Sequence, residues 1–439
     1  MSQLIGKSIC GIACFLVIGS TGGGELSGGN FRNRAAVERV EGGEAEVANA
    51  AWWGFDANDS TDAIQAAINS GARKVIVPYM GSEWIVTPIE LASNQEIVFE
   101  PGVVVLAKEG EFKGGGDCLF AARNKQNITL TGYGATLRMR KADYMDAAKY
   151  KKAEWRMVTS FCGCRNIKVL GLTLEKSGGD GIYIGSTKEQ PYCKDVLIKD
   201  VVCSENYRQG VSVIGAENLL IENCVFKDTS GTGPAAGIDL EPNGNHERLV
   251  NCILRNCVCE NNQGGGFYLY LKNLSRESED VSVTFENCYV KSGRSFGLGV
   301  GAVRDDGPGG LITFRNCTVE DTRQAGVLIW DKSADTVKVR FENCRFKNTA
   351  TDDKAPVRIE LRRKELAQNH GGLEFADCYI FDERDRPAVV AWEKAPTNGI
   401  RDINGALYVF NRCGAKIDLG EKATNVNVKI VDGLAQERQ

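Results

Sequence analysis

Residues 285–290 read FENCYV, residues 314–319 FRNCTV and residues 341–346 FENCRF. The phrase is an apolar residue, any residue, Asn or Asp, often Cys, then another apolar residue. It returns as VLGLTL at Gly171, IKDVVC at Asp200, IENCVF at Asn223, LRNCVC at Asn256 and FADCYI at Asp377. Steps between successive third positions are 29, 23, 33, 31, 29, 27 and 34 residues. A short period that tolerates insertions marks a solenoid, in which strands stack and loops vary.

Helical repeats of similar length do not fit, because the phrases are rich in β-branched and aromatic residues with alternate positions apolar. A second phrase keeps step with the first: GIYIG from Gly181, GVSVI from Gly210, GIDLE from Gly237, GFYLY from Gly266, GLGVG from Gly297 and GVLIW from Gly326. Each repeat therefore carries at least two strands and forms one coil of a parallel β-helix. The Asn at the third position is expected at a corner, its amide bonding the Asn above and below. Cys224, Cys257, Cys288, Cys317, Cys344 and Cys378 then fall in one inward column. Their parallel Cβ vectors suit buried free thiols better than disulfides. Zinc is disfavoured, since Cys162 and Cys164 lack a partner pair at finger spacing and only two His exist.

The chain has 439 residues, 43% hydrophobic, with 50 Gly for turns against 10 Pro, which fits one elongated domain. A net charge of −4 argues against a nucleic-acid binder. Residues 1–25, with Lys7 ahead of ICGIACFLVIG, read as a signal peptide whose removal would take Cys10 and Cys14, so a secreted or periplasmic protein is expected. No later segment reads as a membrane span. Residues 26–55 lack periodicity and read as a linker, and residues 416–439 as a last strand and tail.

The cluster from Asp56 to Asp62 leads into AIQAAINSGA, an amphipathic helix capped by Asp59 or Ser60 that can cover the open end of the solenoid. DSTDAIQAAI (59–68), VIVP (75–78), ITLTGYGATL (128–137) and the Asn-rich coils together resemble the pectate lyase superfamily. The resemblance covers about residues 56–415 and implies an all-β fold, a single-stranded right-handed parallel β-helix with a short N-terminal capping helix. It does not imply one reaction, because that superfamily includes polysaccharide lyases, glycoside hydrolases, uronate epimerases and phage tailspikes.

If Ile182, Val211, Ile238, Phe267, Leu298 and Val327 point inward, the second phrase presents two outward columns. One runs Ser160, Tyr183, Ser212, Asp239, Tyr268, Gly299, Leu328, Arg358; the other Cys162, Gly185, Ile214, Glu241, Tyr270, Gly301, Trp330, Glu360. Rings for stacking on sugars, Gly for a low floor and acids for proton chemistry suggest a saccharide groove. Asp239 and Glu241, two apart on one strand, have Cα atoms about 6.6 to 7 Å apart. That is nearer the ~6.5–9.5 Å of inverting than the ~5–5.5 Å of retaining glycosidases. Arg156, Asp180 and Arg208 fall near one corner of successive coils, an arrangement expected to hold Asp180 ionised as a general base or positioning group.

The expected catalytic residues are Asp239, Glu241 and Asp180. The expected substrate contacts are Arg156, Arg208, Tyr183, Tyr268, Tyr270, Trp330, Arg358 and Glu360. The leading reading is a glycoside hydrolase acting on a polysaccharide or oligosaccharide, with no cofactor. A uronate lyase or C5-epimerase is the second, with Arg156, Arg208 or Arg358 neutralising a substrate carboxylate, Tyr268 or Tyr270 moving a proton, and calcium possible for a lyase. A non-catalytic carbohydrate-binding or tailspike-like β-helix is the third. His246 reads as a solvated loop residue, and neither it nor His370 sits in the Gly-His-Gly phrase of polygalacturonases.

Overall fold

The computed structural model describes residues 31–363, 368–393, 399–412 and 416–433. The segment expected to be a signal peptide lies outside them. Part of the expected linker does not, and it is ordered. Arg34–Glu41 is a helix whose Asn33 side chain accepts from Ala36 N, and Val47–Asn49 pairs in parallel with Lys74–Ile76 as the first rung of a sheet. The physical reason is a small apolar set, Val40, Ala48, Ala50 and Ala51, that closes over the first coil and has no periodicity to announce it. The second helix, Thr61–Asn69, buries Ala63, Ile64, Ala67 and Ile68. Asp59 is its working cap: its carboxylate accepts from Thr61 N at 3.0 Å and pairs with Lys108 at 2.7 Å. No helix among the described residues is long and apolar enough to cross a membrane.

Beyond these helices the chain winds through three parallel ladders. One full coil shows the order: Leu249–Arg255 in the first, Val258–Glu260 in the second and Phe267–Tyr270 in the third, each paired in register with its counterparts one coil before and after. The Asn phrase is thus two strands and a corner, because its third residue is left-handed: φ is 56° at Asn223, 52° at Asn256, 53° at Asn287 and 53° at Asn316. Asn is among the few residues that adopt this conformation cheaply. Its amide adds the expected ladder, with Asn256 donating to Asn223 at 3.1 Å, Asn287 to Asn256 at 3.2 Å and Asn316 to Asn287 at 3.2 Å.

Inside, in-register stacking puts like on like. Phe285, Phe314, Phe341 and Phe375 form a column with ring centroids 4.6, 5.2 and 5.1 Å apart, and the six phrase cysteines form another, all buried and all free. Outside, like on like would stack equal charges, and the sequence alternates them instead: Lys199, Glu222, Arg255, Glu286, Arg315 and Glu342 pair in turn. Each exposed pair contributes little alone, but the alternation removes a repulsion that would oppose stacking.

The third ladder carries the site. The recurring Gly stands just before or one residue inside the start of these strands, where a side chain has no room. A Cβ on Gly237 would lie 2.4 Å from Cys259 Sγ and 2.9 Å from Gly266 O. At the coil of Asp180 the pairing skips Gly181, running Asp180 to Gln209 and then Ile182 to Val211.

Candidate active site

The pairing of the third ladder places the outward residues as the alternation requires. Ser160, Tyr183, Ser212, Asp239, Tyr268, Gly299, Leu328 and Arg358 are consecutive partners. Tyr270, Gly301, Trp330, Glu360 and Trp392 are consecutive partners beside them.

At the centre stands Arg208. Its Nη1 lies 3.6 Å from Asp180 Oδ2 and its Nη2 3.6 Å from Glu241 Oε2, and Nη1 also donates to Ser212 Oγ at 3.3 Å. Burial disfavours its charge, but Asp180, Asp239, Glu241 and Glu154 together hold its pKa above the usual guanidinium value. Asp239 is 1% exposed; its Oδ2 accepts from Gln209 Nε2 at 3.1 Å, and Gln209 is fixed by accepting from Ala236 N at 2.8 Å. Asp239 Oδ1 and both oxygens of the fully buried Asp180 have no hydrogen-bond partner. Buried carboxylates gathered around one cation with so few hydrogen bonds are what makes this cluster a candidate functional site.

Burial pushes Asp180 up to about 7, overcoming the pull of Arg208, and Glu154 adds to the push. This corrects the expectation that flanking guanidinium groups keep Asp180 ionised at all working pH. One of those groups is elsewhere: Arg156 is fully buried, donates to the carbonyls of Phe112 at 2.8 Å and Lys151 at 3.1 Å, and packs over the rings of Tyr144 and Tyr150. It clamps a loop and is not a substrate contact. Asp239 is held well above the usual carboxylate range, first by burial and then by the charge and short-range contact of Glu241. Glu241 is thus close enough to contact Asp239, so the two do not stand apart as their Cα spacing suggested. Asp180 and Glu241 instead face each other across Arg208, each within ion-pair reach of one planar guanidinium. Arg248, a possible structural partner for the pair, is engaged with Glu217 at 3.1 Å and Glu279 at 3.5 Å.

Aromatic residues flank the cluster. Tyr183 is half-buried and in register with Ser160 and Ser212, and Asp180 lies close enough to help push its phenol up. Tyr268, in register with Asp239, stacks on Tyr270 at 6.2 Å and on Trp330 at 5.4 Å; burial first, then Asp239 and Glu241, push its phenol well up. Trp330 is 5% exposed, covered by Arg362 at 5.3 Å, so it props Tyr268 rather than offering a face to a sugar. The open indoles are Trp155, beside Glu154, and Trp392, which is 49% exposed. Arg358 and Glu360 meet at 2.7 Å and line a cleft of about 640 Å³ with Trp392. That cleft lies four to five coils along the groove from Asp239, roughly 20 Å at the spacing of parallel strands.

Sequence reasoning missed Gln209 and Trp392. Gln209 had a signal, since it precedes the recurring Gly as Asp180 does one coil earlier. Trp392 follows the last well-formed second phrase and lies outside the regular repeats.

Comparison with known proteins bears on the fold. Residues 161–346 match the family model described as a right-handed β-helix region. A prophage-derived uncharacterized protein, YorA of Bacillus subtilis strain 168, is 25% identical over 171 residues, 36% of this chain and 29% of that protein; the chain thus spans under a third of this curated relative. Three solved structures superpose at 14% identity over 88% of this chain. They are a family 28 exopolygalacturonase of Yersinia enterocolitica (TM-score 0.61, 78% of that chain), the A-module of the mannuronan C-5 epimerase AlgE6 of Azotobacter vinelandii (0.60, 99%) and PfbA, a surface adhesin of Streptococcus pneumoniae (0.56, 93%). These fix the hand that the ladders leave unstated. In fold the chain is a right-handed parallel β-helix protein.

Proposed function

We propose that this chain hydrolyses glycosidic bonds of a polysaccharide or oligosaccharide at the carboxyl cluster around Arg208. The observation that carries the reading is a cluster in which Asp180 and Glu241 pair with one guanidinium and buried Asp239 adds its charge nearby, beside stacked tyrosines. A β-helix needs no such cluster to fold. The names of its structural neighbours support a saccharide ligand and leave the reaction to the site itself.

In this reading Asp239, held well above the usual carboxylate range by burial and by Glu241, gives its proton to the glycosidic oxygen as the bond to the anomeric carbon breaks. Asp180, ionised above about pH 7, takes a proton from the water whose oxygen bonds that carbon. Arg208 holds the acids in place and limits their repulsion. A lyase or epimerase needs a cation available to a substrate carboxylate. Arg156 is spent on carbonyls, Arg208 stands between Asp180 and Glu241, and Arg358 between Asp352 and Glu360. That engagement favours hydrolysis. A polysaccharide substrate also suits an exported protein, the localisation we propose.

The test is a panel of neutral and acidic polysaccharides assayed together for new reducing ends and for the ultraviolet absorbance of an unsaturated sugar. Reducing ends without absorbance are expected. Absorbance would replace this reading with a lyase, and saccharide binding with neither signal would replace it with an epimerase or a binding rod.

A further inference from the structure

The cleft at the far end of the groove has walls of a particular kind. Pro387, Val390 and Ala355 give it an apolar floor, and the exposed Trp392 gives it a flat face. Among the described residues, every cation lining it has a carboxylate partner. Lys354 pairs with Asp352 at 3.9 Å, Arg358 with Asp352 at 3.4 Å and Glu360 at 2.7 Å, Arg362 with Glu360 at 2.7 Å and Arg386 with Asp382 at 2.7 Å. Arg358 is 6% exposed, yet its Nε has no hydrogen-bond partner.

A site for an anionic ligand leaves positive charge unmatched, because recognition comes from cations whose counter-charge is the ligand. Here the charges are matched before anything binds, and an acidic group would meet Glu360 between its two arginines. What remains is a fixed row of donors and acceptors at the rim and an indole for stacking. These are the groups that recognise uncharged hydroxyls on a ring with an apolar face. The volume, about 640 Å³, is within the range of small-ligand clefts.

We propose that this cleft is a distal saccharide subsite that takes neutral sugar units, with Trp392 as the stacking platform and Arg358 and Glu360 as the polar contacts. The proposal rests on the saccharide reading above and narrows its substrate class to glycans that are uncharged at this position. Tyr268 and Tyr270 lie in register between this cleft and Asp239, so one extended glycan can reach both.

Binding is measured separately from turnover. The Asp239→Asn chain is titrated with neutral gluco-, manno- and galacto-oligosaccharides and with an oligogalacturonate and a sulfated oligosaccharide of matched length, at low and high salt. The expected result is binding of a neutral member, insensitive to salt and about tenfold weaker in Asp239→Asn, Trp392→Ala, the loss typical of a stacking aromatic. Trp392 is half exposed, and circular dichroism of the Trp392→Ala variant checks that the fold is kept. Salt-sensitive preference for the acidic members, or neutral binding untouched by Trp392→Ala, overturns the subsite. If instead the neutral glycan binds as expected and the unmutated chain never cleaves it or a longer homologue, the subsite stands and the hydrolase reading falls.

Discussion

Asp180→Asn should abolish turnover and, above pH 7, make the chain more stable than the parent. Asp180 has a folded-state pKa of about 7 against 3.8 for the ordinary side chain. A carboxyl raised in this way contributes stability that is fully present below the unfolded value and is lost as pH rises through the folded one. Between about pH 4 and pH 7 the unfolded chain ionises this group while the folded chain does not, so the parent loses stability across that window. Asn has the same shape and no charge, and it skips the loss. At pH 8 the variant should exceed the parent by up to about 4 kcal/mol, the free energy of a shift of some three units. At pH 4 the two should be nearly equal. Urea midpoints at both pH values, with the denaturant slope checked for constancy, give the comparison. Parallel stability at both pH values would mean that Asp180 is solvated and ionised in the fold.

Arg208→Gln should have the opposite sign. It leaves Asp180, Asp239 and Glu241 together without their shared cation, and breaking a buried charge network from one side typically costs about 3–5 kcal/mol. The cost belongs to ionised carboxyls, so it should be large at pH 8 and shrink towards pH 5 as the cluster takes up protons. Arg208→Lys should recover part of the stability at pH 8, since it keeps a cation but not the planar fork that spans two acids. Turnover should fall in both variants. Thermal midpoints of the three proteins at the two pH values separate this account from one in which Arg208 serves only packing, where the deficit would not depend on pH. Opposite signs for Asp180→Asn and Arg208→Gln at pH 8 are the signature of a cluster assembled against folding stability.

The fold was legible because a β-helix writes its geometry into the sequence coil by coil. Asn223, Asn256, Asn287 and Asn316 recur because one left-handed corner recurs, and Gly237 recurs with its counterparts because one close approach does. The outward columns followed from alternation alone, and the pairing register matched the first from Ser160 to Arg358 and the second from Tyr270 to Glu360, with Ile214 and Glu241 just beyond the ends of their strands. What alternation cannot supply is where a long side chain goes afterwards. Arg156 is next to the right corner in sequence and turns away into a loop of carbonyls. Trp330 is in the right column and lies beneath Arg362. Asp180 looked like an ionised partner of arginines because sequence shows charges and not burial, and burial wins. The ordered segment before Asp56 escaped notice because a cap is a single copy, without the repetition that made the coils readable.

The most direct measurement compares the parent chain with Asp239→Asn, Glu241→Gln on whichever polysaccharide the panel identifies, following reducing ends and ultraviolet absorbance in parallel while circular dichroism confirms the shared fold. General acid catalysis is worth typically ~10²–10⁴-fold, so the account predicts reducing ends without absorbance from the parent and a loss of at least that size in the double variant. An unsaturated product from the parent, or undiminished release of reducing ends by the double variant, would contradict it.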